Sequence, residues 1–168
     1  MEHLIKSVET SLRHKNYISA LYLTLTLPDI CARLDSDDGE TSKDKYIKWF
    51  NKYLADTYKI KIGADNKEHI FLTGNDLYAL RCSILHEGRL DISSQRAQKI
   101  HSRFFFTSNH PHLRQINSVL QLDISSFCNE VINAVSKWLN NFKLSDKEPL
   151  LKDIVSIFTG NSFSTNDI

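Results

Sequence analysis

Hydrophobic residues recur at helical spacing in the first part of the chain. Aliphatic residues four positions apart within residues 4–12 predict a first helix that ends near Lys15. Asn16 is a suitable N-cap for a second helix. Residues 21–27 alternate as a strand would, but the length of the apolar pattern favours a helix, which we expect Pro28 to kink or to end early.

The next part of the chain holds one further helix between two less regular stretches. An acidic loop is predicted over residues 35–41, where small and acidic side chains dominate. Aromatic and aliphatic residues at helical spacing over 46–54 then predict a third helix. Residues 57–72 show no clean period, so we expect a loop there, with a short strand over 70–72.

The second half of the chain carries clearer start and stop signals. Thr73 and Asp76 resemble the two ends of a capping box, which predicts a fourth helix that stops at Gly88. Two strand-like runs over 104–107 and 116–122, separated by turn residues, predict a small β-hairpin. Asp123 is a suitable cap for a long final helix with one apolar stripe.

Together these elements predict a mainly α fold: a helical bundle of about five to six helices with a small β-hairpin insertion. A short helix over 146–158 closes the predicted bundle. With 168 residues, of which 41% are hydrophobic, we expect a single domain over residues 1–159 and a polar tail over 160–168. Five glycines and three prolines argue against a broadly disordered chain.

Several classes of protein and site are disfavoured by what the sequence contains. The apolar runs are shorter than the ~20 residues of a membrane helix, and the first residues lack the order of a signal peptide, so we expect a cytoplasmic protein. Three widely spaced cysteines favour reduced thiols over disulfides. The pair His110 and His112 suggests a turn rather than a metal site, because no third ligand is evident. We expect no metal and no cofactor.

Positive charge is concentrated in one segment although the net charge of the chain is only +1. Residues 88–115 carry five arginines and lysines against one aspartate, a net charge of +4. Such a segment is typical either of a solvated surface or of a polyanion-binding one. The phenylalanines of 104–106 lie within it, and core packing is a better explanation for them than stacking on bases.

Arg81 is unusual for its position on the fourth helix. At about 100° per residue it falls in the middle of the arc occupied by the aliphatic residues of 77–85, whereas His86 lies about 140° away from it. An unpaired buried guanidinium is costly, so we expect a carboxylate, a dimer partner or an anionic ligand. The two residues share one ligand only if the helix loosens before Gly88 or a two-fold axis supplies a second copy.

Two interpretations of this pair are open from spacing alone. In the first, Arg81 forms a structural ion pair and His86 is an ordinary residue of a last helical turn. In the second, the two side chains form a site for a phosphate. The string from Arg81 to His86 resembles the Arg-x4-His motif of HEPN-domain ribonucleases, which are helical-bundle proteins common among bacterial toxins and antiviral systems.

The setting of the motif strengthens this resemblance. The motif lies late in a bundle-type helix, a glycine follows it, and a long amphipathic helix comes later in the chain. The wider string from Tyr78 to Gly88 also resembles a group of uncharacterised bacterial and plasmid-borne proteins of similar length.

The resemblance implies a metal-independent endoribonuclease that works as a homodimer, with the motifs of both subunits lining one cleft. It implies that His86 is the acid/base acting on the ribose 2′-hydroxyl or the leaving oxygen, and that Arg81 holds the scissile phosphate. RNA is then the substrate, and a toxin or antiphage effector with an antitoxin or defence partner is one biological role. For this enzyme we expect further phosphate contacts along the approach to His86, from Arg89, Arg96, Lys99 and Arg103.

Two other functions stay open. One is a non-catalytic helical module of the same fold that dimerises or binds a partner. The other is an RNA-binding accessory protein that uses the basic segment. The environment of Arg81 separates the enzyme from the module: either Arg81 and His86 face one open cleft, or Arg81 is sealed against a carboxylate.

Overall fold

Helices dominate residues 1–157, which are the part of the chain that this computed structural model describes. The α-helices are α1 (Glu2–Arg13), α2 (Tyr17–Asp35), α3 (Lys43–Tyr53), α4 (Gly74–Cys82) and α5 (Ile124–Phe142). The strands are β1 (Lys59–Ile62), β2 (Lys67–Ile70), β3 (Arg103–Thr107), β4 (Arg114–Ile116) and β5 (Val119–Asp123). The predicted helical bundle with a β insertion is compatible with this arrangement, but two small sheets take the place of the one predicted hairpin, so the fold is mixed α/β rather than clearly all-helical.

Side-chain caps explain where most of these helices begin. The Asn16 side chain accepts from the backbone N–H at the start of α2, and Ser42 does the same for α3. Thr73 caps α4 and Asp123 caps α5 in the same way. Three of these four caps are the predicted ones, and each supplies an acceptor for an N–H that the helix itself leaves unpaired.

α2 lies at the centre of the bundle, packed against α1, α3 and α5. Its residues are buried on several sides, which is typical of a central helix. The expectation that Pro28 ends this helix early is wrong, because the helix continues to Asp35. A proline inside a helix costs about 3 kcal/mol. Burial of Cys31, Ala32 and Leu34 beyond it offsets that cost.

α5 supplies the apolar stripe that closes the core. Phe127, Val131, Val135, Trp138 and Phe142 are all buried, as their spacing predicts. The indole N–H of Trp138 donates to a carboxylate oxygen of Asp35 at 2.9 Å, which ties α5 to the end of α2. The predicted final stripe is therefore confirmed.

The predicted hairpin between 104–107 and 116–122 is wrong, because β3 and β5 run parallel. The antiparallel hairpin is formed by β4 and β5, whose short turn contains Asn117 with a φ of +52°. Two further residues with positive φ, Asn109 and Leu113, turn the chain between β3 and β4. The chain therefore enters β4 on the far side of β5, and the strand order is β3-β5-β4.

A second hairpin, β1–β2, occupies the stretch that was predicted to be a loop with a strand over 70–72. Lys59 pairs with Ile70 and Ile62 with Lys67. Gly63 and Asn66 adopt positive φ in the turn between the strands. The prediction is wrong although residues 59–62 alternate lysine with isoleucine, because this run is only four residues long and neither strand contains a buried residue.

The end of the described chain is less regular than expected. A 3₁₀ helix over Glu148–Asp153 replaces the short helix predicted over 146–158, and the proline at its start suits a short turn. The last residue of that predicted helix, and the polar tail predicted over 160–168, lie outside the described residues. Among residues 1–157, no helix is both long enough and apolar enough to span a bilayer.

Candidate functional site

The candidate site lies where α4 changes from an α-helix into a π-helical turn. This turn covers Ser83–Glu87 and ends at Gly88, which adopts a left-handed conformation with a φ of +65°. The N–H of Arg89 donates to the carbonyl of Ser83 at 3.2 Å, closing the wide turn. In a π-helix each backbone hydrogen bond joins residues five positions apart. Side chains five positions apart therefore lie closer together than they do in an α-helix.

The π turn brings Arg81 and His86 into contact. Nη1 of Arg81 lies 3.1 Å from Nε2 of His86. Because a guanidinium only donates, this contact is a hydrogen bond when Nε2 of His86 accepts, which requires the tautomer with the ring proton on Nδ1. Of the two predicted ways to bring the residues together, loosening of the helix before Gly88 is therefore confirmed within one chain.

A carboxylate from α2 holds the other side of the guanidinium. Nε of Arg81 donates to Oδ2 of Asp29 at 2.6 Å, and the two side chains are 21% and 13% exposed. Burial raises the pKa of the Asp29 carboxyl above its ordinary value, and Arg81 opposes that rise. Burial works to lower the pKa of Arg81, but the attraction and hydrogen bond from Asp29 outweigh it and raise that pKa. Of the three partners expected for Arg81, the structure shows a carboxylate, that of Asp29.

The Arg81–His86 pair has one side closed by protein and one side open to solvent. On the closed side are Tyr46, whose ring is fully buried, and Tyr78, which packs edge-on against it with the ring centroids 5.3 Å apart. Burial raises the pKa of the Tyr46 hydroxyl, which has no hydrogen-bond partner among the described residues. On the open side, His86 is exposed to solvent. The exposed side of the Arg81–His86 pair is therefore the one that carries His86.

The segment that follows the π turn is anchored back onto it. The buried Ser83 hydroxyl donates to the carbonyl of Asp91 at 2.8 Å, and Gln95 donates to the carboxylate of Glu87 at 2.8 Å. Two of the predicted phosphate-binding residues belong to this part and are exposed: Arg89, which lies 3.6 Å from the Glu87 carboxylate, and Arg96. Arg89 directly follows Gly88 and so lies at the end of the π turn.

The other two predicted phosphate-binding residues are placed differently. The backbone N–H of Lys99 donates to Oδ1 of Asp76 at 2.7 Å, near the start of α4. Ten positions along a helix separate Asp76 from His86, which corresponds to about 15 Å. The structure therefore does not bring Lys99 to the pair. Arg103 is exposed at the start of β3, where it forms an isolated antiparallel bridge with Asp91.

The remaining candidate residues serve the fold. Nδ1 of His112 accepts the backbone N–H of Asp123 at 3.1 Å, and its Nε2 lies 3.0 Å from the Glu130 carboxylate. Tyr58 donates to the same carboxylate. Among the residues that the structure describes, no group of three or more metal-binding side chains is found. Cys31 and Cys128 are buried free thiols.

Two carboxylates were missed by the sequence analysis as individual residues. Asp29 carried no local signal, because its partner lies 52 positions away. Asp76 was noted only as part of a capping box, yet it also binds three backbone N–H groups of residues 99–101. The one sequence signal that pointed towards a residue such as Asp29 was the position of Arg81 in an apolar arc, because a buried guanidinium needs a counter-ion.

Comparison with known proteins gives no relative for this chain. No family model, no curated protein and no solved structure matches it.

Proposed function

We propose that this protein is a metal-independent endoribonuclease with a HEPN-like helical fold, in which His86 and Arg81 act on one phosphodiester of an RNA strand. The observation that supports the proposal is the π turn, which sets the imidazole 3.1 Å from a guanidinium nitrogen at a solvent-exposed helix end. π turns of this kind are frequent at functional sites. An arginine and a histidine side by side supply a phosphate-binding group and a group that can accept a proton.

The contacts suggest how the two residues would divide the work. A phosphate oxygen of the substrate takes the Nη1–H of Arg81, which releases Nε2 of His86 from its hydrogen bond. That nitrogen then removes the proton of the ribose 2′-hydroxyl, and the 2′-oxygen forms a bond to phosphorus. The bond from phosphorus to the 5′-oxygen breaks, leaving a 2′,3′-cyclic phosphate, and the proton taken by His86 is available for the departing 5′-oxygen.

Asp29 would act as a positioning residue for this chemistry. Its carboxylate occupies the Nε side of Arg81, so the guanidinium is free to bind only through its outer nitrogens. One of these outer nitrogens, Nη1, lies 3.1 Å from Nε2 of His86. The charge of Arg81 is therefore presented at the place where the pentacovalent phosphate would carry its extra negative charge.

A homodimer is part of the proposal. Ile18 and Tyr22 are exposed, at 68% and 38%, one helical turn apart on α2. Asp29 lies on the same face of that helix, two turns beyond Tyr22. An exposed apolar face beside the site favours a second copy packed there, with both sites close to the two-fold axis. Light scattering at tens of micromolar tests this expectation, and a monomer contradicts it.

An RNA-cleavage assay in the presence of EDTA tests the enzyme. Wild type is expected to cut RNA, whereas Arg81→Ala and His86→Ala are each expected to lose activity by roughly 10²-fold or more. Arg13→Ala and His110→Ala, which change exposed residues of the same types away from the pair, are the matched controls and should cut normally.

Two outcomes would contradict the enzyme. One is folded wild-type protein that leaves every RNA tested uncut, and the other is normal cleavage by both site variants. A non-catalytic dimerisation module is then the better function, and one observation favours it: Arg81 is paired with the carboxylate of Asp29. The dimer would be retained in the site variants of such a module.

A further inference from the structure

The three-stranded sheet has one face packed on the core and one face open to solvent. Along β3, Phe104 is buried, whereas its neighbours Arg103 and Phe105 are exposed. Side chains alternate between the two faces of a strand, so Arg103 and Phe105 share the open face. Phe105 pairs with Gln121 of β5, and Gln121 pairs with Arg114 of β4, which places these three residues in one row across the sheet.

An aromatic ring stands open on this face. Phe105 is 54% exposed, in contrast to Phe104, which is fully buried, and Phe106, which packs against Phe127 with the ring centroids 5.4 Å apart. The expectation that the phenylalanines of 104–106 serve core packing therefore holds for two of them and fails for Phe105. An exposed ring on a sheet is a surface on which an unpaired base can stack.

The same face carries positive charge with little to neutralise it. Arg103 and Arg114 are exposed, and neither forms an ion pair with any residue that the structure describes. Asp91 lies beside Arg103, but its carboxylate accepts two hydrogen bonds from Ser93. Asp123, at the end of β5, is 8% exposed and caps α5. The open face is therefore complementary to a polyanion.

The face is continuous with the Arg81–His86 site. Asp91 bridges Arg103, and its carbonyl is held by Ser83 at the beginning of the π turn. Phe104 donates its backbone N–H to the carbonyl of Leu90 at 2.9 Å. Because this pairing is antiparallel, Arg89, the residue before Leu90, lies towards Phe105 along the edge of the sheet formed by β3. A strand leaving the pair past Arg89 would run directly onto the sheet.

We infer that the open face of β3, β5 and β4 binds single-stranded RNA, with Phe105 stacking on a base and Arg103 and Arg114 contacting the flanking phosphates. The inference rests on the proposed function only in identifying that strand as the one cut at His86. Stacking requires a base with a free face, so the occupant is an unpaired strand rather than a duplex. The arginines position the strand without reading its sequence.

A binding measurement with the full chain tests the inference. The background is His86→Ala, so that a labelled single-stranded RNA stays intact, and affinity is measured by fluorescence anisotropy across a salt series. Phe105→Leu is expected to weaken binding about tenfold, and Phe105→Trp is expected to retain it, because a larger ring stacks at least as well. Arg114→Gln is expected to weaken binding and to lower the log–log salt slope by roughly 0.7.

The control variant carries equivalent changes elsewhere: Ile62→Ala, at a side chain that is 50% exposed on β1, combined with Arg13→Gln at the end of α1. It should bind RNA as the background does. Thermal unfolding of Phe105→Leu should match that of the background, because the ring it removes lies outside the core. A self-complementary RNA duplex of the same length should bind weakly and without dependence on Phe105.

The outcomes separate this inference from the proposed function. Loss of binding in Phe105→Leu and Arg114→Gln supports it, whether or not the wild type cuts RNA. It is overturned if these variants bind as tightly as the control, if wild type and the background bind no single-stranded RNA, or if the duplex binds as tightly as the single strand. If cleavage depends on Arg81 and His86 but RNA affinity is unchanged in the Phe105 and Arg114 variants, the proposed function stands and the inference is overturned.

Discussion

Each end of α4 is held by a carboxylate, and the two carboxylates are satisfied in opposite ways. Asp76, at the first turn, is fully buried and accepts hydrogen bonds from the Thr73 hydroxyl and from the backbone N–H groups of residues 99–101. Asp29, which contacts the last turn, has one charged partner, Arg81. Every partner of Asp76 is a neutral group fixed by the fold, whereas the partner of Asp29 reaches the solvent beside His86.

The difference separates a structural site from one suited to a ligand. A carboxylate that accepts several N–H groups ties distant parts of the backbone together and leaves nothing for a substrate. Arg81 is paired with a carboxylate only through Nε, so its outer nitrogens, one of which contacts His86, have no charged partner among the described residues. The same helix therefore carries a closed end, which supports the fold, and an open end, which supports binding.

Replacing Asp76 should produce the largest loss of stability. Asp76→Ala leaves three backbone N–H groups of residues 99–101 without their acceptor, and each such loss costs about 1–3 kcal/mol when water does not replace it. We expect the free energy of unfolding to fall by about 3 kcal/mol or more, measured by urea denaturation. Asp56→Ala, at a fully exposed carboxylate, is the control and should change stability by less than about 0.5 kcal/mol.

An Asp76→Ala variant as stable as the control would show that the closed end is not what holds residues 99–101.

Replacing Asp29 should instead lower activity more than stability. Asp29→Asn keeps the shape of the side chain but removes the charge that orients Arg81, so we expect cleavage to fall about tenfold, mainly in kcat. The free energy of unfolding should change by less than about 1.5 kcal/mol, because Arg81 still reaches solvent and burial already penalises the charged carboxylate. Asp65→Asn, in the exposed β1–β2 turn, is the control.

The pH dependence of this stability difference has a definite sign. Because burial raises the pKa of Asp29 in the folded state, folding favours its protonated form. The stability that wild type gains from this residue is therefore fully present below about pH 4, the ordinary range of the group, and is lost as the pH rises through the folded-state pKa. The free energy of unfolding of wild type should therefore exceed that of Asp29→Asn by the largest amount at acid pH. A difference that grows towards neutral pH would mean that the ion pair with Arg81 outweighs burial.

The features that sequence analysis identified are those whose signals are local. Thr73 and Gly88 mark the two ends of the fourth helical segment because caps and left-handed glycines act on their immediate neighbours. Arg81 was identified as needing a partner because a charge in an apolar arc is visible in one helix. The contact with His86 was foreseen as one of two solutions, since only a looser helix or a second copy brings the residues together.

The features that were missed depend on contacts between distant parts of the chain. Asp29 lies 52 positions from Arg81, and the apolar pattern of α2 contains nothing that distinguishes this carboxylate. The parallel pairing of β3 with β5 follows from where the chain turns between them, and propensity does not report direction. The exposure of Phe105 follows from the same register, because a one-residue shift would exchange it with Phe104.

The smallest predicted effect concerns Gly88, which ends the open side of α4. Its left-handed φ costs any residue with a side chain about 1 kcal/mol, although a Cβ there would meet no atom closer than the Tyr22 hydroxyl at 3.9 Å. Gly39, with a φ of +69° and no atom within 4 Å of a Cβ, is a matched control in the loop after α2. Gly88→Ala and Gly39→Ala should therefore lose similar stability in thermal unfolding.

Only Gly88→Ala should also lose cleavage activity, by a few fold, because the π turn that sets His86 against Arg81 ends at this residue. Gly88→Asn should recover most of both losses, since asparagine tolerates the left-handed conformation better than alanine does. Equal activity in the two alanine variants would show that the end of the π turn does not control the position of His86.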